Sequence, residues 1–327
     1  MGHLENGIWR AGRETRTVNG EFIRRDSQYR ARVTADGSSG FPAEPGRYHL
    51  YVSSACPWAH RTLIFRKLKR LEHAISISIV EPVVEDQGWT FGTGAGCVPD
   101  TVNGFQHLHQ VYAKAKPDYT GRVTVPVLWD RKTGTIVNNE SSEIIRMLNS
   151  EFEAFAGSHD DYYPQGLRAD IDAVNEVVYA NINNGVYRCG FATTQEAYER
   201  AFDALFAALD EMEARLDRSR YLAGDRVTEA DWRLFPTLVR FDAVYHGHFK
   251  CNLRRIEDYP NLSNTVRDLF QVPGVSETVD MDHIKRHYYA SHRHINPAGI
   301  VPKGPVLDFS APHDRARRFQ RGARAAS

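Results

Sequence analysis

Residues 48–64 read Tyr48-His49-Leu50-Tyr51-Val52-Ser53-Ser54-Ala55-Cys56-Pro57-Trp58-Ala59-His60-Arg61-Thr62-Leu63-Ile64. Within this stretch the hydrophobic period changes. Tyr48, Leu50 and Val52 alternate with their neighbours, which is the period of a strand. Ser53 to Pro57 forms a turn. Leu63, Ile64, Leu68 and Leu71 then share one side of a helical pattern, with Arg66, Lys67, Lys69 and Arg70 elsewhere. Ile75, Ile77 and Ile79 alternate again, so the segment reads as strand, helix, strand, a unit of the usual ~30 residues.

Further along, Val123, Val125 and Val127 predict a third strand, interrupted by Pro126, a residue that demotes a strand to an edge or a special turn. After the turn at Asp130 to Gly134, Thr135 to Val137 predicts a fourth strand. A helix starting near Glu140-Ser141 carries Ile144, Ile145, Met147 and Leu148. Residues 47–155 thus read as a compact α/β module with a mixed sheet. Residues 81–121 form an insertion. Structureless loops beyond ~12–15 residues are uncommon unless functional or disordered, and this one holds Trp89, Phe91 and Phe105. It reads as a packed active-site loop with a short helix near Phe105 to Lys114. Residues 1–46 lack a sustained period and read as an extended arm wrapping the module.

From residue 167 to 327 the pattern is all-helical. Ile171, Val174, Val178 and Ile182 fit one face. Tyr198, Phe202, Leu205, Leu209, Met212 and Leu216 step by four and three. Thr228 and Asp231 have the spacing of a capping box, with Val227 placed to staple onto Trp232. The apolar run Leu234 to Val244 makes the following helix a central one. The Arg-rich tail, Arg315 to Arg324, reads as an extended or frayed end.

The chain has 327 residues, 42% of them apolar, with 41 basic and 41 acidic side chains. That length suggests two domains with sizeable cores. A balanced charge argues against a general nucleic-acid or membrane-surface binder. No apolar run approaches the ~18–20 residues of a membrane span. Residues 1–10, MGHLENGIWR, lack the apolar region of a signal peptide. Four cysteines are too few for a disulfide framework, so the expected setting is cytoplasmic.

Cys56 follows a strand and precedes a helix, and Pro57 suits the first helical position. The unpaired N–H groups of a helix start stabilise an anion. A free thiol has a pKa of ~8.5, which helix N-termini can lower to ~3.5–7.5. The thiolate is the nucleophile for sulfur displacement. Ala59 stands where a Cys-x-x-Cys pair would have its second cysteine, so a mixed disulfide on Cys56 needs an outside thiol to resolve it. Cys97, Cys189 and Cys251 lack this setting and read as structural. A cis Val125-Pro126 bond facing Cys56 would expose the Val125 backbone to a peptide-like ligand. Glu140-Ser141 at a helix start offers N–H groups and a hydroxyl to a carboxylate, although plain helix capping accounts for the same residues.

Cys-Pro-Trp-Ala, Val-Pro and Glu-Ser, followed by a helical half with a Thr-x-x-Asp box, resemble a glutathione transferase. SSACPWAHR, the insertion with GWTF, NNESSEIIRMLN, NNGVYRCGFA, RFDAVYHGHFKCN and HYYASH with NPAGIVPKGP resemble its Xi class, the glutathionyl-hydroquinone reductases, over nearly the whole chain. The resemblance implies a thioredoxin-like, glutathione-binding N-terminal domain and an all-helical C-terminal domain, joined as a homodimer through the helical domains. It implies that Cys56 takes the glutathionyl sulfur from a glutathionyl-hydroquinone and that a second glutathione releases it as glutathione disulfide. Glutathione would be held by Trp89, Arg122, Val125, Glu140 and Ser141. Tyr187 and Tyr288, with Tyr289 adjacent, would line the hydroquinone pocket and assist the leaving group, so that Cys56, Tyr187 and Tyr288 are the catalytic set.

Two other functions fit parts of the pattern. An omega-like thiol transferase or dehydroascorbate reductase would use the same cysteine and the same glutathione site, but the long insertion and HYYASH favour the reductase. A non-catalytic interaction protein of the same fold would not need the reactive cysteine setting. His107 and His109, His246 and His248, and His292 and His294 each have the His-x-His spacing that a metal site can use. Ligation needs three or four convergent donors, and these pairs lie on separate elements, so no metal is expected.

Overall fold

The computed structural model describes residues 2–12 and 17–320. Their elements run β1 (His3–Glu5), β2 (Ile8–Arg10), β3 (Thr17–Val18), β4 (Glu21–Phe22), β5 (Tyr48–Val52), α1 (Pro57–Leu68), β6 (Ile75–Ile79), α2 (Leu108–Ala115), β7 (Gly121–Arg122), β8 (Val127–Asp130), β9 (Thr135–Asn138) and α3 (Ser141–Ser150). There follow α4 (Arg168–Val177), α5 (Gly185–Gly190), α6 (Gln195–Arg218), α7 (Glu229–Arg240), α8 (His246–His248), α9 (Pro260–Phe270), α10 (Met281–Ser291) and α11 (Arg315–Gln320).

The chain forms two compact units, neither of them a continuous stretch. Among the described residues, one comprises 2–12, 25–160 and 277–301, the other 17–24, 161–276 and 302–320. Sequence boundaries at 46, 155 and 167 therefore differ from the spatial ones. Residues 17–24 of the arm group with the helical unit, and α10 groups with the sheet unit.

The first unit is built on a mixed sheet of order β6-β5-β8-β9. β5 pairs parallel with β6 and antiparallel with β8, which pairs antiparallel with β9. Every residue of β5 is buried, as befits a central strand covered on both faces. The parallel step to β6 needs a crossover, which α1 supplies, and α1 packs against α3. Arg47 closes the end of this arrangement through a two-pronged pair with Asp130, at 2.9 and 2.6 Å. Burial alone would raise the Asp130 pKa, but Arg47, Thr133 and the Lys132 N–H hold its carboxyl below the usual range.

The expected third strand is shifted. Residues 123–125 lie outside any strand and β8 begins at Val127, after Pro126, which has no N–H to give a ladder. Upstream, Gly121–Arg122 pairs instead with β1, so part of the arm is a hairpin, β1–β2, that extends a second small sheet. The insertion is ordered as expected. Its helix is α2, and Trp89, Phe91, Leu108, Val111 and Tyr112 are buried. Asp100 organises its turn, accepting from the N–H groups of Val102, Asn103 and Phe105 and from the Tyr51 hydroxyl.

In the second unit the expected faces are buried: Ile171, Val174, Val178 and Ile182, then Leu205, Leu209, Met212 and Leu216 of α6. α7 is central, with Trp232, Phe235 and Val239 fully buried. Its box closes as the spacing predicts. Asp231 Oδ2 accepts from the Thr228 N–H at 2.8 Å, and Asp231 Oδ1 accepts from the Leu222 N–H at 2.9 Å. Burial pushes the Asp231 pKa up to about 6 against those hydrogen bonds. Single π-helical turns at Val178–Asn183 and Phe241–Tyr245 precede α5 and α8. The tail departs from its expected frayed end. Arg315 is fully buried in α11, and its guanidinium donates to the carbonyls of Leu216, Ser219 and Arg220 at the end of α6. The tail beyond residue 320 lies outside the described residues.

Two stability predictions follow from buried polar groups. Thr228 is fully buried, so Thr228→Ala should cost about 2 kcal/mol, the upper range for a lost N-cap, measured by urea unfolding. His49 is fully buried between Ser76 Oγ (2.7 Å) and Ser78 Oγ (3.0 Å), and burial pulls its pKa down to about 4. An unfolded histidine titrates near ~6.5. Its contribution is therefore fully present above about pH 6.5 and is lost as pH falls toward about 4, by up to ~3 kcal/mol. Unfolding at pH 7.5 and 4.5 should show a smaller difference in His49→Gln than in wild type.

Candidate active site

Cys56 stands where strand becomes helix. It is the N-cap of α1, with extended backbone and Pro57 in the first helical turn. Its N–H donates to the Ser53 carbonyl at 3.2 Å, and its carbonyl accepts from the His60 N–H at 2.9 Å. The thiol caps nothing in its own helix. It points instead to the Val125 carbonyl, 3.7 Å away, and the Val125-Pro126 bond is cis, as expected. The first turn of α1 carries no acidic residue, so no carboxylate there opposes a thiolate. Ala59 is fully buried.

The other cysteines have different surroundings. Burial and Glu81 push the Cys97 thiol up to about 12. Cys251 is fully buried, and burial raises its thiol well above the usual value. Cys189 is buried in α5. None of the four cysteines is in a disulfide.

Glu140 is the N-cap of α3, and its carboxylate accepts from the Ser142 N–H (3.1 Å) and hydroxyl (2.9 Å). Ser27, from the arm, donates to its second oxygen at 3.1 Å. Ser141 is buried and accepts from Arg61 Nη1 at 3.4 Å. Arg61, itself buried, stacks its guanidinium 4.7 Å over the Trp58 ring. One α1 side chain thus ties the cysteine helix to the Glu-Ser helix. Arg122 is half-buried on β7, opposite His3, and its carbonyl accepts from the Tyr119 hydroxyl at 3.0 Å. Trp89 is buried, its carbonyl accepting from the Leu108 N–H, and its indole stacks on His287 with centroids 4.9 Å apart.

Tyr288 and Tyr289 lie on α10, in the same unit as Cys56. Tyr288 is 1% exposed, its ring set edge-on to His287 and His292. Tyr289 is half-buried, and burial pushes its phenol up. Tyr187 belongs to the second unit. There it is buried beside Phe191, Tyr245 and Phe249, with the Arg24 guanidinium 4.9 Å over its ring. Arg61, Ser27, Arg24 and His287 were not read from sequence. Only Arg61 had a local signal, one helical turn beyond the Cys-Pro-Trp start. The other three meet their partners across long stretches of chain.

Among the described residues no group of three or more His, Cys, Asp or Glu is placed to hold a metal. The His107 and His109 rings stack on each other, and Trp9 stacks on His109 at 4.7 Å. No described helix is long and apolar enough to cross a membrane.

Comparison with known proteins agrees with this layout. The model of the glutathione S-transferase N-terminal domain matches residues 55–151, and that of the C-terminal domain matches residues 195–264. Glutathionyl-hydroquinone reductase PcpF of Sphingobium chlorophenolicum is 57% identical over 94% of this chain and 97% of its own. Glutathionyl-hydroquinone reductase YqjG of Escherichia coli strain K12 is 51% identical over 98% of this chain and 100% of its own. The glutathione-bound structure of YqjG superposes with a TM-score of 0.90, at 50% identity, over 97% of this chain and 100% of that one. A Xi class glutathione transferase from Natrialba magadii superposes with a TM-score of 0.91, at 50% identity, over 97% of each chain.

The cysteine settings make a prediction. Brief treatment of the folded protein with iodoacetamide at pH 7 should label Cys56 and spare Cys97, Cys189 and Cys251. Peptide mass spectrometry reads the outcome, and preferential labelling of Cys97 would overturn the assignment.

Proposed function

The chain belongs to the glutathione transferase family, in its Xi class, and from that membership we propose that it reduces glutathionyl-hydroquinones to hydroquinones at the expense of glutathione. The observation that carries this reading is the single nucleophile. Cys56 sits at the start of α1 with its thiol toward the Val125 carbonyl, and a buried Ala59 stands where a resolving cysteine would be. The identity to two glutathionyl-hydroquinone reductases supports the substrate class.

In the proposed reaction the Cys56 thiolate attacks the sulfur of the conjugate. A sulfur–sulfur bond forms between Cys56 and the glutathionyl group. The carbon–sulfur bond breaks, and its electron pair stays with the ring, which takes up a proton at that carbon. A second glutathione thiolate then attacks the glutathionyl sulfur, releasing glutathione disulfide and the Cys56 thiolate. The ring carbon gains two electrons, and the thioether sulfur of the conjugate and the thiol of one glutathione become one disulfide, so the balance closes without a further oxidant or reductant.

Val125 is assigned to pair its backbone with the tripeptide, Glu140 and Ser141 to hold the γ-glutamyl end, Arg122 to meet a carboxylate, and Trp89 to cover the ligand. Tyr187 and Tyr288 are assigned to hydrogen-bond the hydroquinone oxygens as charge develops on the ring. The roles of these side chains rest on the resemblance together with the burial of Val125, Ser141, Trp89 and both phenols. Glu140 also caps its own helix, so its carboxylate serves the fold whatever the ligand. We further assign a cytoplasmic setting and a homodimer formed through the helical domain. Glutathione and the conjugate are the expected partners, with no nucleic acid, membrane or metal in the scheme.

Purified protein mixed with a glutathionyl-hydroquinone and excess glutathione should release hydroquinone and glutathione disulfide in equal amounts. Cys56→Ser should lose the reaction entirely. Tyr288→Phe should lower kcat by ~10²-fold, the lower range for loss of a general acid, with little change in the KM for glutathione. Faster turnover of dehydroascorbate than of the conjugate would move the assignment to the omega-like activity.

A further inference from the structure

The insertion that carries Trp89 is gripped by a helix from far along the chain. Three side chains of α10, at four-residue steps and therefore on one face, each bond an insertion backbone group. His283 Nε2 lies 2.7 Å from the Ala95 carbonyl. His287 Nδ1 lies 2.9 Å from the Pro82 carbonyl. The Ser291 hydroxyl accepts from the Val84 N–H at 2.9 Å. Contact is so close that a Cβ on Gly96 would come within 2.9 Å of His283.

Of these three, His287 also stacks on Trp89, with centroids 4.9 Å apart and planes 19° apart. A carbonyl can only accept, so Nδ1 of His287 carries the proton and donates it. That bond fixes the plane of the imidazole and, through it, the plane of the indole. The indole itself is 4% exposed, and its Nε1–H, also buried, has no acceptor among the described residues. A buried donor left without an acceptor is costly and calls for a partner.

We propose that His287 is a positioning residue for the glutathione site. Clamped to the Pro82 carbonyl, it holds the Trp89 indole in one plane, so that Nε1–H donates to a carbonyl or carboxylate oxygen of the bound tripeptide. The inference rests on the glutathione reading given above and adds to it a residue that need not touch the ligand. It also gives α10 two duties, since Tyr288 follows His287 directly in the chain.

The test is glutathione binding to the full-length protein, by titration calorimetry, in a double-mutant cycle. His287→Ala and Trp89→Phe should each weaken binding roughly tenfold, and the double variant should be no weaker than either alone. His287→Phe, which keeps a flat ring against the indole but loses the bond to Pro82, should fall between wild type and His287→Ala, about threefold weaker than wild type. His287→Gln, which keeps a donor for Pro82 but loses the ring, should behave as His287→Ala; it stands in should the alanine variant fail to fold, as judged by its thermal transition. In turnover the effect should fall on the KM for glutathione and spare kcat. Wild-type affinity in His287→Ala or His287→Gln, or a double variant ~10²-fold weaker as independent losses would give, overturns the proposal. Wild type failing to bind glutathione would instead overturn the functional reading. The clamp is then read from the near-ultraviolet circular dichroism of the ligand-free protein. His287→Ala should change the indole band, and should leave it unchanged in a Trp89→Phe background. An indole band that His287→Ala leaves intact refutes the clamp.

Discussion

The first unit depends on one junction, the passage from a fully buried parallel strand into a helix whose leading N–H groups have no partner within the helix. β5 is covered on both faces and bonded on both edges, so its direction is set by β6 and β8. α1 must cross back over the sheet to make β6 parallel. Pro57 suits the opening turn of that helix. Cys56 is then left at the helix start with a thiol that caps nothing. The antiparallel neighbour β8 begins one residue after Pro126, which puts the carbonyl of Val125 beside that thiol. Topology therefore sets a thiol and a backbone acceptor side by side before any substrate is considered.

The remainder of the unit makes that junction stiff. His60, one turn into α1, is fully buried and bonded to Thr278 at 2.8 Å. Lys67, two turns on, pairs with Glu277 at 2.7 Å. The cysteine helix is thus held by residues 277 and 278, which lead directly into α10. α10 in turn holds the insertion. Ordering a loop of some forty residues is opposed by ~1–2 kcal/mol of backbone entropy per residue. The Asp100 turn, α2 and the α10 contacts offset it together, and no single one of them would. The sheet, the insertion and α10 form one compact unit for this reason, although the chain leaves it and returns.

Local periodicity made much of this legible. β5 and β6 repeat every two residues, α6 repeats by threes and fours, and Thr228 with Asp231 marks the start of α7; these need only near neighbours in sequence. The placement of candidate residues was legible where it is local: Cys56 at its strand–helix junction and Glu140-Ser141 at the start of α3. Long-range pairings were not. Gly121–Arg122 joins β1, a match that depends on a hairpin more than a hundred residues earlier. Residues 17–24 leave the first unit because Glu21 pairs with Arg188 and Arg24 with Asn184. α10 carries an ordinary amphipathic pattern, and nothing in that pattern says that its His283, His287 and Ser291 face the insertion. Arg315 sits in a run of arginines that composition alone reads as solvated. Its burial follows from the three orphan carbonyls at the end of α6 that it satisfies.

The same burial pattern bears on why the proposed chemistry needs glutathione twice. Once Cys56 carries a glutathionyl group, some thiolate must attack it. Ala59 offers none. At Cys97, burial and Glu81 push the thiol up to about 12, which disfavours the thiolate at pH 7. Cys251 is fully buried with its thiol raised further from use, and Cys189 is buried as well. Among this chain's own sulfurs none is both ionised and accessible for attack on Cys56. In the proposed scheme the resolving sulfur arrives from solution, and it reaches the mixed disulfide through the space the hydroquinone has left, because the first glutathionyl group still occupies its own site on Cys56. A monothiol protein of this kind is committed by its packing to an external reductant, and its turnover is tied to the glutathione concentration around it.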